Sequence, residues 1–341
     1  MVAPNSIRLA NKAALPRTAE PPIPVFIGGV TTNTIESVFA ASDRMSNRLA
    51  LMFTDHQMNP DGGYVCNLEE LISKTDFLQA SYPNSEIVLA RDHFSPVNLS
   101  DRAIDKFRDL ISRYTEAGFS FFHFDFAPFL TDYNRSMSCL EQIVQFTRNL
   151  NPNVKIELST TPDNNISYLN LAEKHFSQIA DIGPEYIVIP TGSLVKDRTQ
   201  VGSFYGKQIK CLASRYHENG IFVKEHNADF LTSSDILKRT GLIDSFNVAP
   251  EFGMMESLLI LNDFKKTPLN IDKLLNLSFK SEKWKSWTLS NSLSNEMRAE
   301  ISMHYHFKSD EFLDLVSLSS NTKKTKEDII SMHMQCIHRY L

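Results

Sequence analysis

No stretch of these 341 residues reaches eighteen consecutive apolar positions, which excludes a membrane-spanning helix. Cysteine is scarce. Cys66, Cys139, Cys211 and Cys336 stand far apart without a C-x-x-C pair, so no disulfide framework is readable, and a chain of this size needs no staple. The segment from Met1 to Pro22 is polar and has no apolar centre, so no signal peptide is readable and a reduced, cytoplasmic setting is the expectation. Basic charge is not concentrated. The net charge is −5, and Lys323-Lys324-Thr325-Lys326 reads as a solvated turn, so neither nucleic acid nor membrane is expected as a partner. A G-x-G-x-x-G is also missing after the first apolar run, and Gly28-Gly29-Val30 is too short to cradle a dinucleotide.

What is present is an alternation. Eight short runs rich in Val, Ile, Leu or Phe on both parities recur at 24–29, 49–55, 86–92, 119–125, 155–161, 186–192, 221–227 and 244–250, the pattern of strands buried on both faces. Amphipathic stretches with helical spacing lie between them at 33–48, 100–117, 132–150, 165–180 and 207–219. With 42% hydrophobic residues the chain is long enough for a large core. The alternation predicts an α/β protein, a (β/α)8 TIM barrel with a helical C-terminal extension. The expected organisation is an N-terminal segment 1–23, a barrel 24–265 and a helical extension 266–341. That extension would close the barrel or build an oligomer contact through Phe307, Phe312, Leu313, Leu315, Val316 and Leu318.

In a closed parallel barrel all strand C-termini meet at one face, where the active site sits. Seven of the eight predicted strands end in polar or ionisable groups, which core packing alone does not ask for. Two end alike, in Asp92-His93 and in Glu225-His226-Asn227-Ala228-Asp229. His93 and His226 are the candidate metal ligands, with Asp92 and Asp229 as carboxylates beside them. A further carboxylate or a third imidazole would complete an open zinc-type site. Glu157 is a candidate both as ligand and as catalytic carboxylate, and His56 and His123 stay open between ligand and structural roles. His175, His217, His304, His306, His333 and His338 read as surface or packing residues. Such an ion polarises a carbonyl and stabilises an enediolate, while a neighbouring carboxylate moves a proton. Around the rim, Gly192 and Ser193 offer loop amides of the kind that bind phosphate, and Lys196 and Arg198 suit an anionic substrate. Gln57, Asp125, Asn227, Asn247 and Glu251 are the other substrate-binding candidates. Strand alternation is expected to turn Arg91 and Lys224 away from the site.

Several segments resemble the tagatose-bisphosphate aldolase subunit family, the larger, "non-catalytic" subunit type of the class II ketose-bisphosphate aldolases. Asp92-His93-Phe94-Ser95-Pro96 is similar to its D-H-x-x-P strand end. Gln57 with Gly62-Gly63-Tyr64 is similar to its strand-two motif, although His56 replaces an Asn. Glu225 to Phe230 and Asn247 to Gly253 resemble its seventh and eighth strand ends. The resemblance runs in order over roughly 24–262. It implies a barrel that uses a divalent metal, most simply Zn2+, on phosphorylated ketoses. It implies Asp92 as acid/base, His93 and His226 as ligands, Asn247 on the dihydroxyacetone-phosphate part, and Gly192 and Ser193 near the phosphate.

One departure matters. Catalytic class II aldolases supply a third His from a G-T-x-H-G turn, where this chain has Pro190-Thr191-Gly192-Ser193. Glu157 and Asp125 are then the best placed substitutes. The leading expectation is a metal-dependent aldolase or epimerase working on a phosphorylated ketose by retro-aldol C3–C4 chemistry. The alternatives are a non-catalytic subunit that stabilises a catalytic aldolase partner, and a metal-free sugar-binding barrel. A homo-oligomer is the other expected partner state.

Overall fold

The computed structural model describes residues 20–159, 161–266, 271–289, 293–317 and 322–341. Most of the predicted N-terminal segment, Thr160 and Leu318 therefore lie outside the described residues. Eight parallel strands close into a barrel: β1 (Val25–Gly28), β2 (Arg48–Phe53), β3 (Glu86–Phe94), β4 (Phe121–Asp125), β5 (Lys155–Ser159), β6 (Tyr186–Val188), β7 (Phe222–Glu225) and β8 (Ser245–Val248). Each pairs with its sequence neighbours, and β8 closes on β1, with Phe26 opposite both Asn247 and Ala50. All eight predicted runs are strands, with ends displaced by at most a few residues.

The helices after the strands are α1 (Thr32–Met45), α2 (Leu68–Ser81), α3 (Asp101–Glu116), α4 (Tyr133–Leu150), α5 (Leu169–Ile182), α6 (Gly206–Glu218), α7 (Ser233–Leu237) and α8 (Pro250–Lys265). The five helices expected from periodicity are present, and α5 ends at Gly183 in the left-handed region (φ 66). Helices α2, α7 and α8 were not expected. α2 buries few apolar residues, and its start is marked instead by an Asn67–Glu70 capping box. α7 is only five residues long.

Alternation divides the barrel into two cores. Val25, Ile27, Leu49, Leu51, Phe122, Phe124, Ile156, Leu158, Val223 and Val248 face outward and pack under the helices. Phe26, Ala50, Met52, Val88, Ala90, Phe121 and Tyr186 face inward and fill the lower interior. There Phe26 and Phe121 lie 4.5 Å apart between centroids, with Tyr186 edge-on to both. The interior is a filled stack of side chains whose upper layer is polar.

Beyond α8 come α9 (Ile271–Lys280), α10 (Asn295–Ser302), α11 (Asp310–Ser317) and α12 (Thr322–His338). Their apolar faces are largely used within the chain. Ile260, Leu261 and Phe264 of α8 pack with Leu274, Leu277, Ala299, Met303, Phe312 and Ile329, while Cys336, Ile337 and Tyr340 join the main core. Tyr340 donates to the Ala228 carbonyl (2.7 Å), and Arg339 donates to Glu251 (2.5 Å). No described helix is long and apolar enough to cross a membrane, and the four cysteines are unpaired.

Glu256 on α8 ties that helix to the start of α1. Its two oxygens accept from Thr31 Oγ1 and Asn33 Nδ2, each at 2.6 Å. Burial raises its pKa to about 7, against the lowering by those two donors. A carboxyl raised in this way contributes most to stability below its unfolded value near 4.5 and loses that contribution as pH climbs through 7. Glu256→Gln is expected to leave stability nearly unchanged at pH 4.5 and to raise it at pH 8 by roughly 2–3 kcal/mol. Urea unfolding at the two pH values checks this, and equal shifts at both would refute the burial account.

Candidate metal centre

Strict alternation would give the mouth one residue from the end of β3, but it receives two. Arg91 is opposite Phe122 and Phe94 is opposite Phe124, so three steps on β3 match two on β4. This is a bulge, and His93 takes its left-handed backbone conformation (φ 47). Arg91 and Phe94 therefore both face outward, with the Arg91 guanidinium 4.4 Å from the centroid of Tyr114. Arg91 donates to Asp55 and to the Met58 carbonyl, pinning the loop after β2. Asp92 and His93 are both delivered to the interior side.

Three imidazoles meet there. Ring centroids lie 5.3 Å apart for His93 and His226, 5.0 Å for His93 and His123, and 4.9 Å for His123 and His226. One ligand atom from each of Asp92, His93, His123 and His226 falls within 4.8 Å of the others. Each ring also gives one nitrogen to a carboxylate. His93 Nδ1 pairs with Asp125 (2.9 Å), His123 Nδ1 with Asp92 (2.8 Å), and His226 Nε2 with Glu157 (2.7 Å). Carboxylates that hold one ring nitrogen fix the tautomer and leave the other nitrogen as a ligand, the usual outer arrangement of histidine metal sites.

The residues fit a divalent cation on a second count. His123 Nε2 is buried and has no protein partner, a costly state for a ring nitrogen that a metal bond would satisfy. A group of His, His, His and Asp suits a borderline-soft ion with an open position. The electrostatics agree for His226 and Asp92, whereas His93 would have to release a proton to bind. Burial lowers the His226 pKa to about 4 despite Glu157, so the ring is neutral, as a ligand must be. His93 is pulled down by burial, but Asp92 and Asp125 outweigh that and raise it to about 9. Burial pushes Asp92 up, yet His93 and His123 hold it well below the ordinary carboxylate range, so it is ionised.

The layer below supports the rings. Glu157 on β5 is fully buried. Its second oxygen accepts from Lys224 Nζ (2.6 Å), which sits 3.4 Å above the Phe26 ring. Burial opposes the Glu157 charge, and Lys224 first, then His123 and His226, bring its pKa down to about 2. The expectation that Lys224 points away is corrected. Lys224 lies two residues before His226, so a period of two places both on the interior side.

Of the other expected site residues, Asn247 and Asp125 join the cluster. Asn247 Nδ2 is 3.3 Å from Asp92 and 3.2 Å from His226, and Asp125 also accepts from Ser159 and the Ala127 amide. Gln57 is buried near the mouth, and its Oε1 accepts from the Thr54 amide (2.7 Å). Asn227 has φ 54, and its carbonyl accepts from Gln200.

The remaining assignments are corrected. Asp229 does not face the rings; its Oδ1 accepts from the Ala249 and Glu251 amides, both at 2.9 Å, capping α8. Glu251 accepts from the Phe230 amide, Arg339 and Tyr340, and so belongs to the contact with α12. Arg198 pairs with Glu300 of the C-terminal helices. Ser193 donates to Glu225, and Gly192 packs against Ser203 and Tyr205 so tightly that a Cβ would lie 2.1 Å from the Ser203 carbonyl. Glu157 stands behind His226, not among the four grouped ligand atoms, whereas His123 was under-read. Its strand parity with Asp125, on a run already known to end at the rim, was the available signal.

No family model matches the chain. Over 117 residues, 32% of this chain, it is 29% identical to the D-tagatose-1,6-bisphosphate aldolase subunit of Klebsiella oxytoca, and the match spans 26% of that relative. Among solved structures it is similar to a probable tagatose 6 phosphate kinase from Sinorhizobium meliloti 1021 (TM-score 0.73, 14% identity, 93% of this chain and 98% of that one). It is also similar to the fructuronate-tagaturonate epimerase of Cohnella laeviribosi (0.60, 9%, 93% and 81%) and to the fructose-bisphosphate aldolase of Campylobacter jejuni (0.58, 15%, 93% and 89%). The structural likenesses show the fold. The sequence match supports the resemblance to the tagatose-bisphosphate aldolase subunit family.

Zinc titration of the metal-free chain tests the cluster. His93→Ala, His123→Ala and His226→Ala are each expected to weaken binding by more than about 100-fold, and Asp125→Asn by about 10–100-fold. Unchanged affinity in a folded His123→Ala would remove the β4 imidazole from the ligand set.

Proposed function

We propose that this chain is a metal-dependent aldolase or epimerase that acts on a ketose by retro-aldol cleavage of the C3–C4 bond, with Zn2+ as the ion. The observation that carries the reading is the convergence of three carboxylate-paired imidazoles with an ionised Asp92 in one barrel mouth. His93, His123 and His226 would hold the ion. When bound, the ion supplies Lewis acidity for the substrate's carbonyl and hydroxyl oxygens.

The chain's own residues supply proton transfer and position. Asp92 accepts the proton of the C4 hydroxyl, and its ionised state is the form this needs. As C4 becomes a carbonyl, the C3–C4 bond breaks and its electron pair passes into the C2 carbonyl, leaving an enediolate. Addition to the other face of the aldehyde returns the ketose epimerised at C4. Asn247 orients Asp92, and Asp125 and Glu157 fix the rings of His93 and His226. Water exclusion comes from the depth of the site, since His123, Asp92 and His226 are all buried.

The rival reading is a non-catalytic subunit for an aldolase partner, and it rested on the missing strand-six His. His123 from β4 offers a third imidazole without that turn, which favours the catalytic reading. Asp92→Asn is expected to lower kcat by about 100- to 10,000-fold when variant and wild type are both assayed at saturating zinc, since Asp92 also holds His123 Nδ1. Measured on the purified chain alone, full turnover in this variant would defeat the role given to Asp92. Absence of turnover in a zinc-loaded wild type until an aldolase subunit is added would favour the subunit reading.

A further inference from the structure

We propose that the cleft between the β1 and β2 rim loops, α2 and the C-terminal extension is a second binding site, which takes an aliphatic monocarboxylate. The proposal does not depend on the ketose reading, because none of the residues lining the cleft belongs to the metal centre.

Three parts of the chain build it around a cavity of about 370 Å3. Val30 and Ile35 come from the β1 loop and α1, Val65 and Leu71 from the β2 loop and α2, and Phe307 and Leu313 from the extension. These walls are apolar and mostly aliphatic, so they ask for an apolar body with few polar groups, not for a sugar. The body they suit is a chain. A second cavity of about 190 Å3 adjoins the first and shares Thr32, Phe307 and Leu313 with it, and Phe264, Phe312, Val316 and Ile329 line its remainder. Its buried carboxylate, Glu256, is already held by Thr31 and Asn33. Leu313 belongs to the wall common to both cavities and is 52% exposed, so a bound chain would remove it from water.

Polar groups in the lining call for a ligand and set the sign of its charge. His304 lines the larger cavity and is buried, and its Nδ1 has no hydrogen-bond partner among the described residues. Burial, then the nearby His306, lowers its pKa to about 3, so the ring is neutral. A buried ring nitrogen without a partner is costly, and a ligand oxygen would supply one. The charged residues of the lining are Lys74 and Lys308 against Glu70 alone. Lys308 is paired with Glu70 (2.6 Å), whose carboxylate also accepts from the Asn67 amide. Lys74, one turn along α2 from Glu70, is less engaged. It lies 3.8 Å from Glu36, which Lys326 already holds at 2.8 Å. The excess charge is therefore positive, and Lys74 is the cation that a carboxylate would take.

The test is calorimetric titration of the full chain with octanoate and with octanol, with and without saturating zinc. The two ligands have chains of equal length and differ in charge. Octanoate is expected to bind saturably and about tenfold more tightly than octanol. Lys74→Met is expected to reduce that preference to about threefold or less and to leave octanol binding unchanged. Leu313→Asp, which sets a like charge at the cleft wall, is expected to weaken octanoate by about tenfold. Zinc is expected to change none of these affinities. No saturable octanoate binding by the wild-type chain, or binding that only the zinc-loaded chain shows, would overturn the proposal. Equal affinities for acid and alcohol, or an octanoate affinity that neither variant moves, would overturn it as well. Should a variant not fold, the wild-type ratio of acid to alcohol decides.

Discussion

The ion pair between Lys224 and Glu157 is the constraint on which the mouth of this barrel depends. Two opposite charges are buried there, at 2.6 Å, above an aromatic floor. Neither is stable alone: breaking such a pair by removing one partner typically costs about 3–5 kcal/mol. Glu157 spends its other oxygen on His226, so the ring inherits its orientation from a lysine one layer below. Phe26 completes the arrangement, its ring face lying 3.4 Å under the ammonium. The imidazoles above are therefore set by packing as much as by hydrogen bonds.

Much of this was legible in the chain. The eight runs with apolar residues on both parities could be read as barrel strands because burial on two faces leaves no alternation. The convergence of Asp92, His93 and His226 could be read because a strand end in a barrel has one destination. What failed was the direction of single side chains. Lys224 was misplaced by counting from Glu225 instead of from His226. The β3 bulge is invisible in sequence, since nothing in Arg91-Asp92-His93-Phe94 announces an extra residue. Asp229, Glu251, Arg198 and Ser193 are polar at the rim, as expected, but their partners come from Ala249, Arg339, Glu300 and Glu225. Most of those contacts join segments far apart in the chain, and such pairings cannot be read from local pattern.

The corrected residues share a purpose. Asp229, Glu251, Arg339 and Tyr340 form one polar chain from the loop after β7, through the start of α8, to the end of α12. Asp229 carries the strain of that arrangement: burial and the neighbouring Glu251 raise its pKa to about 7, against the lowering by the amides it caps. The loop that carries His226 is thereby fastened on both sides, by Asn164 to the His226 carbonyl (2.6 Å) and by Tyr340 to the Ala228 carbonyl.

The position of Tyr340 in the chain has a consequence for biosynthesis. Every barrel strand precedes residue 249, so the cylinder can close while the ribosome is still making the helices that follow. The hydroxyl that fastens the His226 loop emerges some ninety residues later, by the order of the chain. A nascent barrel thus passes through a period in which its walls are complete and its rim is untied. The loop that carries His226 is thus tied by partners made before and after its own strand, Asn164 and Tyr340.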